Sequence, residues 1–122
     1  MEPPYALFDS QMEKKIDILQ GTLDLMVLQT LASMGAQHGY SIAARLEQIS
    51  ERAIQLNMGT LYPALVRLEQ RGYVRAKWDV TENGRRARFY ELTAAGRKQM
   101  QTERANWLQS AALMAKVLEQ KS

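Results

Sequence analysis

The chain has 122 residues, 46% hydrophobic and 24% charged, which indicates one folded domain with at most one additional element. Its net charge of +3 permits a polyanionic partner without requiring one. The absence of cysteine excludes disulfides and cysteine nucleophiles, and with no signal-peptide pattern at the N-terminus and no apolar stretch long enough to cross a bilayer, we expect a cytoplasmic protein without membrane attachment.

The first half of the chain predicts a flexible arm and two helices. Residues 1–11 carry no sustained periodicity and are expected to form the arm. Apolar residues then recur every three or four positions from Met12 to Met34, which predicts an amphipathic helix that ends at Gly35; an interruption near Gly21 stays open. A shorter helix is predicted over Tyr40–Ile49.

A third helix is predicted over roughly Gly59–Arg71, with Gly72 as its C-terminal stop. Because proline is tolerated in the first helical turn but clashes deeper in a helix, Pro63 predicts either a start near Thr60 or a distorted first turn, and we favour the late start. One face of this helix is leucine-rich and predicted to be buried, at Leu61, Leu65 and Leu68. The opposite face is predicted to be small, polar and basic, at Thr60, Ala64, Arg67 and Arg71.

The period then changes to two, which predicts a β-hairpin. Val74–Val80 alternates as a half-buried strand, in which Trp78 is expected to be a core residue rather than a binding platform. A second strand is predicted over Arg88–Thr93. Between the strands, Asn83 and Gly84 predict a tight turn, because both residues accept positive φ.

This hairpin is more basic than the rest of the chain. Asp79 and Glu82 stand against five cations, at Arg75, Lys77, Arg85, Arg86 and Arg88. A basic hairpin can be a solvated turn that protects a sheet edge. After three helices, however, it has the position of the wing in a winged helix-turn-helix, whose third helix enters the major groove of DNA. The predicted fold is therefore mainly α with a small antiparallel hairpin (α+β).

Two aromatic side chains in this region have alternative interpretations. Tyr62 would lie in the exposed first turn of a helix starting near Thr60, where its hydroxyl could donate to phosphate; the alternative is a core aromatic. His38 is the single histidine, and we expect a surface or capping role without chemistry.

A final long helix is predicted from Ala94 to about Gln120, with Thr93 as its N-cap. More than one side of this helix is apolar, which predicts that a second chain covers it. The residues predicted to form this dimer interface, or a ligand site within it, are Met100, Trp107, Ala111, Met114 and Leu118.

Six segments resemble the PadR family of transcriptional regulators. The most specific is GTLYPALVRLE at residues 59–69; the others are GTLDL at 21–25, HGY at 38–40, GYV at 72–74, GRR at 84–86 and FYELTAAGR at 89–97. The resemblance covers about Leu19 to Arg97, and the last helix matches in kind only. Proline recurs in the recognition helix of the family, which we take as support for the late start near Thr60.

The resemblance implies a homodimer that represses transcription from a two-fold symmetric operator, with release by a small-molecule effector in some members. The single last helix is similar to the shorter branch of the family, in which that helix pairs with the partner chain. A ligand pocket would therefore form at the dimer interface. In some short relatives an aromatic residue there stacks on planar compounds; we favour the alternative, in which Trp107 packs the interface.

We predict a winged-helix DNA-binding domain over residues 12–93 and a dimerisation helix over 94–122. Contacts with double-stranded DNA are predicted from the second helix, the third helix and the hairpin, at Tyr40, Ser41, Asn57, Gly59, Thr60, Tyr62, Pro63, Arg67, Lys77, Arg85, Arg86 and Arg88.

Other functions are less well supported by the sequence. No cofactor, metal or enzymatic activity is expected, because no nucleophile, base or metal-ligand set is visible among the residues. The alternative to a DNA-binding repressor is a winged-helix protein-interaction module that binds no DNA.

Overall fold

The computed structural model describes residues 22–121, which form four helices and one three-stranded sheet. In chain order the elements are α1 (22–34), β1 (Gln37–His38), α2 (Gly39–Ile49), α3 (Met58–Gln70), β2 (Val74–Val80), β3 (Arg86–Leu92) and α4 (Ala94–Leu118). The predicted fold class, a winged helix-turn-helix followed by a long helix, is confirmed. The predicted arm, and residues 12–21 of the predicted first helix, lie outside the described residues.

The sheet is antiparallel, with strand order β1-β3-β2. The short strand β1 was not predicted, because a strand of two residues carries no periodicity. Its pairing, Gln37 with Tyr90 and His38 with Phe89, ties the start of α2 to the hairpin. The helices and the hairpin are therefore joined by backbone pairing as well as by the core.

The core forms where α1, α2 and α3 pack against one another and against the base of the hairpin. Its fully buried side chains include Val27, Leu28, Ile42, Leu61, Leu65 and Leu68. Ala64 is also buried, so its predicted place on the polar face is wrong. Positions 61, 64, 65 and 68 follow the i, i+3, i+4, i+7 spacing of a single helical stripe, and that stripe faces the core.

The predicted late start of α3 is also wrong, because the helix begins at Met58 and Pro63 lies in its second turn. Asn57 is the N-cap, and its Oδ1 accepts a hydrogen bond from the Thr60 amide at 2.9 Å. This cap stabilises the early start. Pro63 offers no amide donor to the carbonyl of Gly59, which lies at an exposed position where water can take the donor's place.

The hairpin is longer than predicted and its turn differs in type. Strands β2 and β3 pair from Val74 opposite Leu92 out to Val80 opposite Arg86. Gly84 has φ +78°, whereas Asn83 is not among the residues with positive φ. The Gly84 amide donates to the Thr81 carbonyl at 2.9 Å. This geometry fits a three-residue loop with glycine in the left-handed region rather than a two-residue Asn-Gly turn.

Trp78 is 60% exposed, which contradicts its predicted role as a core residue. The alternation along β2 is real, since Val74 is buried and Ala76 half-buried on the same face. Beyond Ala76, however, the hairpin extends past the core, and the inner face has too little protein to pack against. The alternation therefore predicted correctly on which face of β2 Trp78 lies, but it did not predict that the side chain is exposed.

Helix α4 begins within the domain and then leaves it. Thr93 caps it as predicted, with its hydroxyl accepting from the Gly96 amide at 3.0 Å. Gly96 and Met100 are buried. Past Met100, the large apolar side chains are at least half exposed, at Trp107, Leu108, Leu113, Met114, Val117 and Leu118. Within residues 22–121 no helix is both long and apolar enough to cross a membrane.

Candidate nucleic-acid interface

The N-terminal half of α3 presents a polar, exposed surface. Gly59, Tyr62 and Pro63 are exposed, and Thr60 is partly so. Tyr62 lies in the second turn of α3 rather than in the predicted first turn, yet it is 47% exposed. The side chains at this end of α3 are therefore accessible to a large partner.

Asn57 and Thr60 are coupled at the start of α3. The Thr60 hydroxyl donates to Asn57 Oδ1 at 3.2 Å, alongside the amide hydrogen bond that caps the helix. Asn57 Oδ1 is thus occupied within the chain. Gly59 leaves the surface beside this cap open because it has no side chain. A Cβ at this position would come within 3.2 Å of Asn57 Oδ1.

The start of α2 contributes a second exposed end. Tyr40 is 72% exposed in the first turn, while the Ser41 hydroxyl donates to the His38 carbonyl at 2.8 Å. His38 is the N-cap, and its Nδ1 accepts from the Ser41 amide at 3.3 Å. The expected capping role of the histidine is confirmed.

The basic residue Arg67 does not lie free on α3. Its guanidinium donates to Asp24 Oδ1 of α1 at 2.9 Å, and Arg71 lies 4.0 Å from the other carboxylate oxygen. The Asp24 side chain is only 12% exposed. This ion pair joins the two helices, so the cation predicted for DNA contact is engaged by the fold.

Two of the five hairpin cations are held by carboxylates. Arg88 donates to Glu69 of α3 at 2.8 Å, and Arg75 donates to Glu91 at 3.1 Å. These acidic partners were not predicted, since sequence spacing does not indicate which strand and helix positions meet. The Glu69 contact fastens the hairpin to α3.

The other three hairpin cations have no acidic partner within residues 22–121. Lys77 and Arg85 are exposed, and the Arg86 guanidinium lies over the ring of Trp78 at 5.3 Å from the centroid. The positive charge of Lys77, Arg85 and Arg86 is therefore not neutralised by a neighbouring carboxylate. We call these three residues the wing cations.

Tyr90 lies at the junction of the hairpin and α3. Burial raises the pKa of its phenol, the neighbouring Tyr62 raises that pKa further, and the cation of Arg88 opposes the shift. Tyr90 is 2% exposed and belongs to the core. The buried side chain of Tyr90 therefore supports both the exposed surface of α3 and that of the hairpin.

The residues predicted for a dimer or ligand interface separate into two groups. Met100 packs in the core of its own chain, so its predicted place in that interface is wrong; it lies in the first turns of α4, where the helix still covers the sheet. Trp107, Met114 and Leu118 are exposed, and Ala111 is half-buried. These four share one stripe of α4.

Comparison with known proteins agrees with this architecture. The model of the transcriptional regulator PadR-like family matches residues 27–102. A PadR family transcriptional regulator from Eggerthella lenta superposes with a TM-score of 0.76 at 26% identity, covering 96% of this chain and 99% of that one. A transcriptional regulator from Clostridium thermocellum gives 0.74 at 26% identity, covering 82% and 96% of the two chains.

A relative is also found by sequence. A 37.1 kDa protein in transposon TN4556 of Streptomyces fradiae is 43% identical over 79 residues, which span 65% of this chain and 21% of that protein. The family model covers the helices, the hairpin and the start of α4. The chain belongs to the PadR-like family of transcriptional regulators, whose fold and membership support a DNA-binding regulator.

Proposed function

We propose that this protein is a sequence-specific transcriptional repressor that binds double-stranded DNA as a homodimer in the cytoplasm. The observation that carries the proposal is the combination of three exposed wing cations, which have no acidic partner among residues 22–121, with an exposed N-terminal half of α3. Family membership supports DNA binding as the use of this surface. No catalytic activity is proposed.

The two parts of the surface would have different roles. The wing cations, Lys77, Arg85 and Arg86, would bind phosphates and supply affinity that is sensitive to salt. The exposed end of α3, with Thr60 and Tyr62, would lie in the major groove. Contacts there with bases would determine which sequence is bound, and contacts with phosphates would fix the position of the protein on the duplex. Tyr40 and Ser41, at the start of α2, are proposed to contact the backbone beside the groove, as are Asn57 and Gly59 at the α3 cap.

The dimer is proposed on the exposed apolar length of α4. Six large apolar side chains at half exposure or more are unusual for a helix of a monomer, and a second copy would cover them. A two-fold symmetric pair would place two α3 helices on half-sites about 34–36 Å apart, or a multiple of this distance. The expected operator is therefore an inverted repeat.

A small-molecule effector is proposed to act through α4. An open pocket of about 440 Å³ is lined by residues of α1, α2 and α4, among them the apolar Met26, Leu46 and Ile49 and the basic Arg104. A compound bound there or at the α4 interface would change the spacing of the two α3 helices. A screen for compounds that release bound DNA tests this part.

Selection from a random-sequence duplex library tests the main proposal. We expect the protein to enrich an inverted repeat, with affinity that falls steeply as salt rises. A variant in which the three wing cations are replaced by alanine serves as the control and should enrich no sequence. A protein-interaction module predicts no enrichment by the wild type at any salt concentration, and that result would remove the proposal.

A further inference from the structure

We propose that Trp78 is a positioning residue for DNA binding, whose indole ring holds the guanidinium of Arg86 at the wing in the place where it meets a phosphate. This inference rests on the proposed function. It starts from an anomaly: Trp78 occupies an inner-face position of β2 and is nevertheless 60% exposed. So large an apolar side chain contributes little to the core from there.

The contact with Arg86 gives the exposed ring a use. The guanidinium carbon lies 5.3 Å from the ring centroid, within the range of a cation–π interaction. In the hairpin register Trp78 is opposite Arg88 and diagonal to Arg86, so both side chains lie on one face. The π face of the ring offers no carboxylate oxygen, so the contact leaves the charge of the guanidinium available to a phosphate.

A ring holds an arginine in a different way from a carboxylate. Glu91 positions Arg75, and Glu69 positions Arg88. In each pair the carboxylate cancels the positive charge of the arginine that would otherwise attract a phosphate. The indole restricts Arg86 while leaving its full positive charge. Restricting a flexible side chain before association lowers the entropy that binding must lose. Arg85, the next residue, has no such contact among residues 22–121, so it provides an internal comparison.

A double-mutant cycle on the duplex enriched by the wild type tests the inference. We expect Trp78→Ala to weaken affinity by about two- to five-fold per wing while leaving the thermal midpoint unchanged. Trp78→Phe should retain most of the affinity, whereas Trp78→Leu, which keeps apolar volume without a π face, should behave like Trp78→Ala. The loss should vanish in an Arg86→Ala background and persist in full in an Arg85→Ala background.

The opposite results are equally clear. An equal loss in the Arg86→Ala and Arg85→Ala backgrounds would mean that the ring touches DNA or acts through the fold, and the positioning role would be wrong. Should Trp78→Ala not fold, equal affinity of Trp78→Phe and Trp78→Leu would overturn it, and a loss confined to Trp78→Leu would support it. If the wild-type protein binds no duplex, the proposed function is wrong as well as the inference. If it binds duplex but the effects of Trp78→Ala and Arg86→Ala on affinity are additive, the inference alone is wrong.

Discussion

Arg67 of α3 donates a hydrogen bond of 2.9 Å to the carboxylate of Asp24 in α1, across a sequence separation of 43 residues. Asp24 is one of the two polar residues that are buried among residues 22–121. A carboxylate removed from water is tolerated where a cation and hydrogen bonds compensate it. The contact therefore gives Arg67 a structural role that its position on a DNA-reading helix does not indicate.

Replacing Arg67 by alanine should destabilise the fold, because Asp24 would keep its burial and lose its closer partner. We expect the free energy of unfolding to fall by about 1.5–3 kcal/mol, as for other hydrogen bonds to charged groups. Urea unfolding followed by circular dichroism measures it. Arg85→Ala is the control, since that exposed residue has no ion pair within the described part of the chain and should change stability by no more than about 0.5 kcal/mol. Equal stability of the two variants would contradict the structural role.

The wing cations should determine the salt dependence of DNA binding. Removing Arg85 by alanine substitution should reduce the slope of log affinity against log salt by about one per wing, because one phosphate contact is lost. Fluorescence anisotropy with a labelled duplex at several salt concentrations measures the slope. The double variant Arg75→Ala with Glu91→Ala removes a paired cation without changing net charge, and it should leave the slope as in the wild type. A lower slope in that control would mean that pairing does not select the contacting cations.

The apolar stripe of α4 should hold two copies together. Met114→Asp places a charge at its centre, and we expect the mass in solution to fall from twice the 13.9 kDa of one chain to that of a single chain. Light scattering after gel filtration measures the mass. Gln109→Asp is the matched control, because residue 109 is about 200° around the helix from residue 107 and lies opposite the stripe. A dimeric Met114→Asp variant would show that this stripe is not the interface.

Sequence periodicity predicted the helices, the hairpin and their order, because each depends on the spacing of apolar residues along the chain. It could not predict contacts between positions distant in sequence. Two ion pairs are examples: Arg67 of α3 pairs with Asp24 of α1, and Glu69 of α3 pairs with Arg88 of β3. Both depend on how α3 packs against its neighbours in the fold. Burial also depends on where a core ends, which is why Trp78 keeps its predicted face but is exposed.

Local rules failed where a stronger local interaction was present. Pro63 favoured a late start of α3, yet the Asn57 cap holds the helix from Met58 and the exposed Gly59 carbonyl tolerates the missing donor. The small size of Ala64 favours the polar face, although its spacing from Leu61 and Leu68 puts it in the buried stripe. The hydrogen bond of the Asn57 cap determined where α3 begins, and helical spacing determined the burial of Ala64. Residue type determined neither.

Tyr90 should make the fold sensitive to alkaline pH. Burial raises the pKa of its phenol in the folded state, so the neutral form is favoured there relative to the unfolded chain. Its contribution to stability is present below the unfolded pKa of about 10 and is lost as pH rises through the folded value. We expect the wild type to lose more stability between pH 8 and 11, by urea unfolding, than Tyr90→Phe does. Parallel losses in the two proteins would contradict this.

Gly96 should be intolerant of any side chain, because α4 begins against the backbone of the residue that precedes β2. A Cβ at Gly96 would overlap the carbonyl of Tyr73, whose oxygen also accepts a hydrogen bond from the Thr93 amide at 3.1 Å. Alanine normally favours a helix over glycine, so sterics and propensity predict opposite signs here. A backbone carbonyl cannot move aside as a side chain can, and we expect Gly96→Ala to lower the free energy of unfolding by about 1–3 kcal/mol. Gln101→Ala, an exposed substitution in the same helix, should change it little, and a Gly96→Ala variant more stable than the wild type would show that α4 docks elsewhere.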